Sequence, residues 1–495
     1  MRLHGNYPHD IIPPRSTYFA DGRFGRLFGK LAPFASDTPA VRDALLELGR
    51  RGGIMDANDD LSASPASLIT DPALSAHNPN NPTLTAGMTF LGQFLDHDMT
   101  FDPTSSLERQ ADPEQIANFR TPSLGLDNVY GAGPFANPHL YDRAGGPGIK
   151  FLIEPCGTPA KFDLPRNAQR TALIGDPRND ENLIVSQLHL AFLRFHNAAC
   201  DHVAATPGLG GPGAVFAEAQ RLVRWHYQWI ILHEFLPLTC GERVVADILE
   251  HGRRFFDWRN TPYIPVEFSV GAYRFGHSQV RPSYRANFGV GGGDPFFALV
   301  FNPAADSASE DPDDLRGSRR APRRFVDWPT FFNFGDARVR PNKRIDTLLS
   351  SVLFALPDTV VSLPDPRTNP SSLAQRNLLR HLTFSLPSGQ RVANAMKLPV
   401  LAPGDLADLQ PFGLAESTPL WFYVLREAQV MERGLRLGPV GERIVAEVII
   451  GLLEGDGAAY LAQDPGWTPS FPTLEPSDQG RSFQMVDLLT FAGVA

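Results

Sequence analysis

Histidines set beside carboxylates and amides are the first chemical signal in this chain. Gly92-Gln93-Phe94-Leu95-Asp96-His97-Asp98 puts polar side chains into the last turns of an otherwise apolar helical run. Burying Asp96, His97 and Asp98 without partners is costly, so the pattern predicts either partners or a ligand. The plain structural alternative is a solvated helix end. A second cluster is Asp176-Pro177-Arg178-Asn179-Asp180-Glu181-Asn182. Arg178 and Glu181, three apart at a helix start, fall on one face, which also reads as ordinary capping with an exposed ion pair. The third is His277 in Ala272-Tyr273-Arg274-Phe275-Gly276-His277-Ser278. A lone histidine on an apolar face is usually a hydrogen-bonded core residue. Gly276 beside it is more suggestive, because glycine weakens a helix yet leaves room for something flat to approach.

The remaining histidines make weaker cases. His189 and His196 are seven apart, as are His226 and His233, too far along a helix to share a metal ion, and they read as structural. Zinc-protease, zinc-finger, hydrolase-elbow and P-loop patterns are absent. The Gly289–Asp294 run lacks the strand-then-helix setting of a dinucleotide site.

The elements that must position these groups are mostly helical. A helix should follow the turn cluster Asn78–Pro82, starting near Thr83 or Thr85, with Met88, Leu91 and Leu95 as its buried stripe. Others are expected at about 38–51, 180–204, 215–236, from Pro265 with Val266, Val270, Tyr273 and His277 on one face, and at 340–356, 371–382, 419–431, 439–453 and 483–489. Residues 303–325 read as a charged, solvated surface loop. With no β-α alternation, the fold class is mainly α: a large single-core helical fold with long irregular loops and little β. An N-terminal wrapping segment (1–80) precedes the main domain (81–460) and a C-terminal tail packed on it (461–495).

Composition narrows the function classes. The chain has 495 residues, 42% of them apolar, and a net charge of −9. It can bury a large core, and the acidic balance argues against nucleic acid as a partner. Three scattered cysteines, Cys156, Cys200 and Cys240, are too few for a disulfide framework and suggest free thiols in a reducing compartment. No signal-peptide-like or membrane-spanning apolar run occurs, so the expected location is cytoplasmic, or outside the cell by a non-classical route.

Four stretches in order, GQFLDHD (92–98), GDPRNDENLIVSQLHLAFLRFHN (175–197), AYRFGHS (272–278) and LAQRNLLR (373–380) followed by LPSGQ (386–390), resemble the animal-type haem peroxidase family, the peroxidase–cyclooxygenase superfamily, in its bacterial branch. The resemblance implies a haem peroxidase fold over residues 60–460 and a cofactor that is haem b or an ester-linked derivative. It implies that His97 is the distal histidine, Arg178 the distal arginine and Gln93 the distal glutamine. His277 is then the proximal ligand to haem iron, with Asn377 accepting its other N–H. Arg274 and Arg380 match residues that hold haem propionates, and Asp96 and Glu181 match carboxylates that form ester bonds to haem. Asp98, Thr121, Ser123 (through its carbonyl) and Asp127 match a calcium site, but Gly125 stands where another aspartate is expected, which should weaken it.

The activity so implied is reduction of hydrogen peroxide with oxidation of small organic, phenolic-type or halide donors by way of a ferryl intermediate. Two alternatives stay open. A fatty-acid dioxygenase of the same superfamily needs a tyrosine three residues before the proximal histidine; here that position is Arg274, and Tyr273 is turned about 100° away on an α-helix. A non-catalytic haem-binding or adhesion scaffold is the other.

Overall fold

The computed structural model describes residues 23–495 except 102–106, 108–109, 114–115, 117, 145, 159, 259–260, 307, 358–359, 362–363 and 475–481; the N-terminal part of the expected wrapping segment lies outside the described residues. The fold is mostly helical, with 45% helix and 9% strand. Its strands form short two-stranded pairs, such as Asn80–Thr85 antiparallel to Pro341–Lys343.

The helix after the Asn78–Pro82 turns runs Ala86–Met99, with Thr85 as its extended N-cap residue. Met88, Leu91 and Leu95 are all buried. Phe94 of this helix stacks on Phe192 of the Leu183–Ala204 helix, centroids 4.6 Å apart, and Tyr227 closes the cluster edge-on. The long helix starts where it does because the Asn182 carboxamide accepts from the N–H groups of Ile184 (3.1 Å) and Val185 (3.0 Å). Pro212–Ile230 continues into a π-turn, Ile231–Phe235, before Leu236–Cys240. Pro237 explains the break, since it has no N–H to give and its ring crowds the preceding turn.

Several expectations are corrected. The helix entered at Pro265 is not α: Glu267–Gly271 is a π-turn and Ala272–Gln279 is 3-10. Glu267 accounts for part of this, because its buried carboxylate accepts from the N–H groups of Leu27 (3.0 Å) and Phe28 (3.1 Å) and straps the N-terminal segment to the turn. Residues 340–356 form a strand and a 3-10 turn, Ser351–Phe354. Helices at Glu242–His251 and Gly389–Met396 went unforeseen.

The 303–325 stretch is solvated mainly in its first part, where Pro303, Ala304, Asp306 and Glu310 are exposed, and its second part turns inward. Asp314, Arg316 and Arg324 are buried, with Arg316 paired to Asp314 at 2.8 Å. Leu183 N donates to Leu315 O and Gly317 N donates to Glu181 O, so this stretch backs the turn that carries Arg178. A β-carbon on Gly317 would lie 1.6 Å from Asp180 O, so only glycine permits that contact.

Candidate active site

His97 is held by an amide. The turn Pro177–Asp180, capped by Asp176, presses against the end of the Ala86–Met99 helix, and His97 Nδ1 meets Asn179 Oδ1 at 2.9 Å. Burial first, and then the neighbouring Arg178 charge, push the His97 pKa below its usual value, so the ring is neutral near pH 7.

Arg178 is buried, and its expected pairing with Glu181 is corrected. The guanidinium instead holds Asp176, Nη2 to Oδ2 at 2.8 Å and Nε to Oδ1 at 3.1 Å. It also donates to the carbonyls of His97 (3.0 Å) and Thr100 (2.5 Å) and lies over the Phe101 ring. Arg120 takes the other side of Asp176 at 2.5 Å. Burial opposes the Asp176 charge, but Arg120 and Arg178 outweigh it and hold the carboxyl well below the usual carboxylate range.

Glu181 turns to Gln93 instead. Gln93 Nε2 donates to Glu181 Oε1 (3.0 Å), and Asn182 Nδ2 donates to Gln93 Oε1 (3.3 Å), which fixes which end of the Gln93 amide is the donor. Asp96 accepts from the Thr100 hydroxyl at 3.1 Å.

On the other side of the site, His277 Nδ1 lies 2.7 Å from Asn377 Nδ2, while Arg274 Nη1 donates to Asn377 Oδ1 at 2.8 Å. The expected pair is therefore present with its polarity reversed, the amide donating to the imidazole. A guanidinium has only donors and claims the amide oxygen, which leaves the amide nitrogen for His277. Trp421 Nε1 donates to Arg274 O at 3.1 Å and steadies the same turn.

A cavity of about 290 Å³ joins these stretches. His97, Gln93, Asp96, Arg178 and Glu181 line it together with Arg274, Gly276, His277 and Arg380. Asn377 and Asn179 stand behind the histidines they bond.

Whether haem fits can be judged from the residues themselves. Two histidines line one cavity, and a β-carbon at Gly276 would meet nothing within 4 Å, so there is open space beside His277. Arg376, a cavity residue that the sequence reading missed, adds a third guanidinium. Burial and then Arg380 and Arg274 lower its pKa to about 10, and its hydrogen bonds go to neutral groups, Asn369 Oδ1 and Pro370 O. Such a cationic edge suits a ligand with carboxylates and fits the rim of haem, while ligation of its iron by His277 Nε2 requires the Asn377 amide to turn over and accept at Nδ1.

The calcium ligands fit less well. Asp98 Oδ2 accepts from Leu126 N at 3.0 Å, and its buried Oδ1 has no hydrogen-bond partner. Ser123 Oγ and Asp127 Oδ1 stand 3.1 and 3.3 Å from the position a Gly125 β-carbon would take. No three His, Cys, Asp or Glu side chains among the described residues converge as a metal site. The oxygen shell lacks the carboxylate that Gly125 omits.

The family model for animal haem peroxidase matches residues 112–290. Within that stretch the chain is similar to the animal haem peroxidases. A peroxidase-like protein from Margaritifera margaritifera is 34% identical over 136 residues, 27% of this chain and 17% of that protein. The chain thus spans under a fifth of that relative's length. Among solved structures, peroxidase A from Dictyostelium discoideum aligns over 88% of each chain with a TM-score of 0.54 and 17% identity. The Oryza sativa fatty acid alpha-dioxygenase aligns over 90% of this chain and 83% of its own, with a TM-score of 0.54 and 15% identity. At these identities the likeness establishes a shared fold.

Asn179, Asp176 and Arg120 belong to the site's support and had no role assigned from sequence. The signal available for Asn179 was its place next to Arg178; nothing local marked Arg120. The three cysteines are all buried and free. No helix among the described residues is long and apolar enough to cross a membrane.

Proposed function

We propose that this chain is a haem-dependent peroxidase that reduces hydrogen peroxide and oxidises small phenolic-type or halide donors. One observation carries the reading: His97, Arg178 and His277, from three separate stretches, line one cavity. Haem, when bound, supplies the redox chemistry of peroxide reduction. His277 would hold the iron through Nε2 once the Asn377 amide turns over to accept an Nδ1–H, and Arg274, Arg376 and Arg380 would hold the propionates. His97 accepts the peroxide proton on Nε2 and returns it to the departing oxygen; a neutral imidazole suits both transfers. Arg178, fixed by Asp176 and two carbonyls, stabilises negative charge growing on that oxygen without having to reorganise.

The visible spectrum of the haem-loaded protein tests the ligand, and stopped-flow mixing with peroxide tests the chemistry. His277→Ala should abolish the histidine-ligated spectrum. His97→Ala should keep haem and slow the peroxide reaction by roughly 10²–10⁴-fold. An unchanged rate in His97→Ala refutes the distal assignment.

Tyr273 lines the cavity too, which keeps the dioxygenase reading as a second one. Against it, the Ala272–Gln279 turn is 3-10, so the one-residue offset of this tyrosine amounts to about 120°, and its hydroxyl donates to Gly92 O at 3.1 Å. Oxygen uptake with linoleate or oleate and no peroxide would favour the dioxygenase.

A further inference from the structure

Asn179 and His189 form a chain behind His97 that the roles above do not use. Asn179 is fully buried, and its carboxamide is engaged at both ends: Oδ1 with His97 Nδ1 and Nδ2 with His189 Nδ1, each at 2.9 Å. His189 is fully buried, packs against the Phe94 ring, and has no hydrogen-bond partner at Nε2.

Both ends of the amide meet an imidazole Nδ1, and the structure turns Oδ1 to His97 and Nδ2 to His189. An amide nitrogen only donates, so His189 Nδ1 accepts, and a neutral His189 carries its proton on Nε2. That is also the intrinsically favoured tautomer of a neutral imidazole, which offsets the buried Nε2–H it leaves without a partner. The amide oxygen only accepts, so His97 must carry its proton on Nδ1. His97 Nε2 is then left as the lone pair available to the cavity. Turning the amide over would reverse every assignment: His97 would present an N–H to the cavity and could not take a proton there.

We propose that Asn179 and His189 are positioning residues that lock His97 in the Nδ1–H tautomer, with His189 fixing the amide and the amide fixing the base. The inference deepens the peroxidase reading, on which its kinetic consequence rests; the tautomer itself does not depend on that reading.

The test separates the two. The full chain, prepared without haem and with ¹⁵N-labelled histidine, reports ring tautomers at fixed pH through long-range ¹H–¹⁵N correlations, with the His97 signal assigned by its loss in His97→Ala. Wild type should show His97 protonated on Nδ1. Asn179→Leu, close in size but unable to hydrogen-bond, should shift His97 towards the Nε2–H form, and the haem-loaded variant should react with peroxide some 10–100-fold more slowly. Asn179→Asp retains an acceptor for Nδ1–H and should restore the wild-type tautomer. His189→Phe keeps an aromatic ring but frees the amide, and should give a mixture of tautomers. Should Asn179→Leu fail to fold, Asn179→Asp against His189→Phe still decides. A His97 tautomer that is Nε2–H in wild type, or that does not change across the variants, overturns the proposal. A tautomer that shifts as described while even wild type ignores peroxide leaves the lock standing and refutes the peroxidase reading.

Discussion

Asp176→Asn is the most informative single change to this site. Asp176 is fully buried between two buried guanidiniums and accepts five hydrogen bonds. Oδ1 receives Arg178 N and Nε, while Oδ2 receives Arg120 Nε and Nη2 together with Arg178 Nη2. An asparagine keeps only one of these oxygens. In either orientation its NH₂ group faces at least two N–H donors, and the negative charge between the arginines is gone. Removing one partner of a buried pair costs roughly 3–5 kcal/mol, because the remaining charge stays buried and uncompensated. Lys150–Asp201 is the control: the ammonium–carboxylate distance is similar, 2.6 Å, but the side chains are 42% and 70% exposed, so Asp201→Asn should cost at most about 1 kcal/mol. Denaturant titration with a fixed m-value measures both. The pH dependence gives a second check. The folded Asp176 pKa is depressed, so its stabilisation is complete above the unfolded value near 4 and is lost as pH falls through the folded one. The gap between wild type and Asp176→Asn should therefore stay constant from about pH 5 to 8 and narrow only in stronger acid. A loss no larger than that of Asp201→Asn would refute the claim that this carboxylate anchors the two arginines.

Other outcomes follow from the same reasoning. Gly317→Ala should destabilise the fold and disturb the Arg178 turn, because the added carbon lies 1.6 Å from Asp180 O; thermal melting and peroxide kinetics should both fall, and an unaltered melt would refute it. Gly276→Val should spare the melt of the haem-free protein yet weaken haem uptake, since its side chain enters open cavity space; haem titration decides. Burial raises the Glu427 pKa to about 8 despite its bonds from Val440 N and Gly441 N. The folded state then binds the extra proton between about pH 4.3 and 8, so stability falls as pH rises through that window. Glu427→Gln should flatten this slope and be the more stable protein at pH 8; parallel stability–pH curves would refute the assignment.

Much of the His97 side was legible because helical periodicity and polar residues coincide there. Met88, Leu91 and Leu95 mark the buried face of a helix, and the polar run Asp96-His97-Asp98 ends it. Asn182 announces the next helix by its capping chemistry. The His277 turn was misread as α because its apolar spacing suits a helix of 3.6 residues per turn, whereas the buried Glu267 carboxylate and the π-turn were tertiary matters. The 303–325 stretch misled more deeply. Its charges look solvated in sequence, yet Asp314 and Arg316 satisfy each other inside the protein, against the turn bearing Arg178, which lies far away along the chain. Arg120 was invisible for the same reason: its carboxylate lies 56 residues on.

The two halves of the cavity solve opposite electrostatic problems. On the His97 side every guanidinium is neutralised inside the protein, since Arg120 and Arg178 share Asp176, and the histidine beside them is kept neutral by burial and by Arg178. On the His277 side Arg376 meets only neutral oxygens and is pushed down by Arg380 and Arg274. A site meant only to be filled by water would gain nothing from crowding like charges at one edge, because each is harder to bury beside the others. The asymmetry makes sense if the first side must hold a fixed charge pattern whether or not a ligand is present, while the second is completed by an anionic ligand. Anion binding at the second side should therefore stabilise the protein more strongly in wild type than in Arg376→Met, whereas at Asp176 no added anion can substitute for the carboxylate.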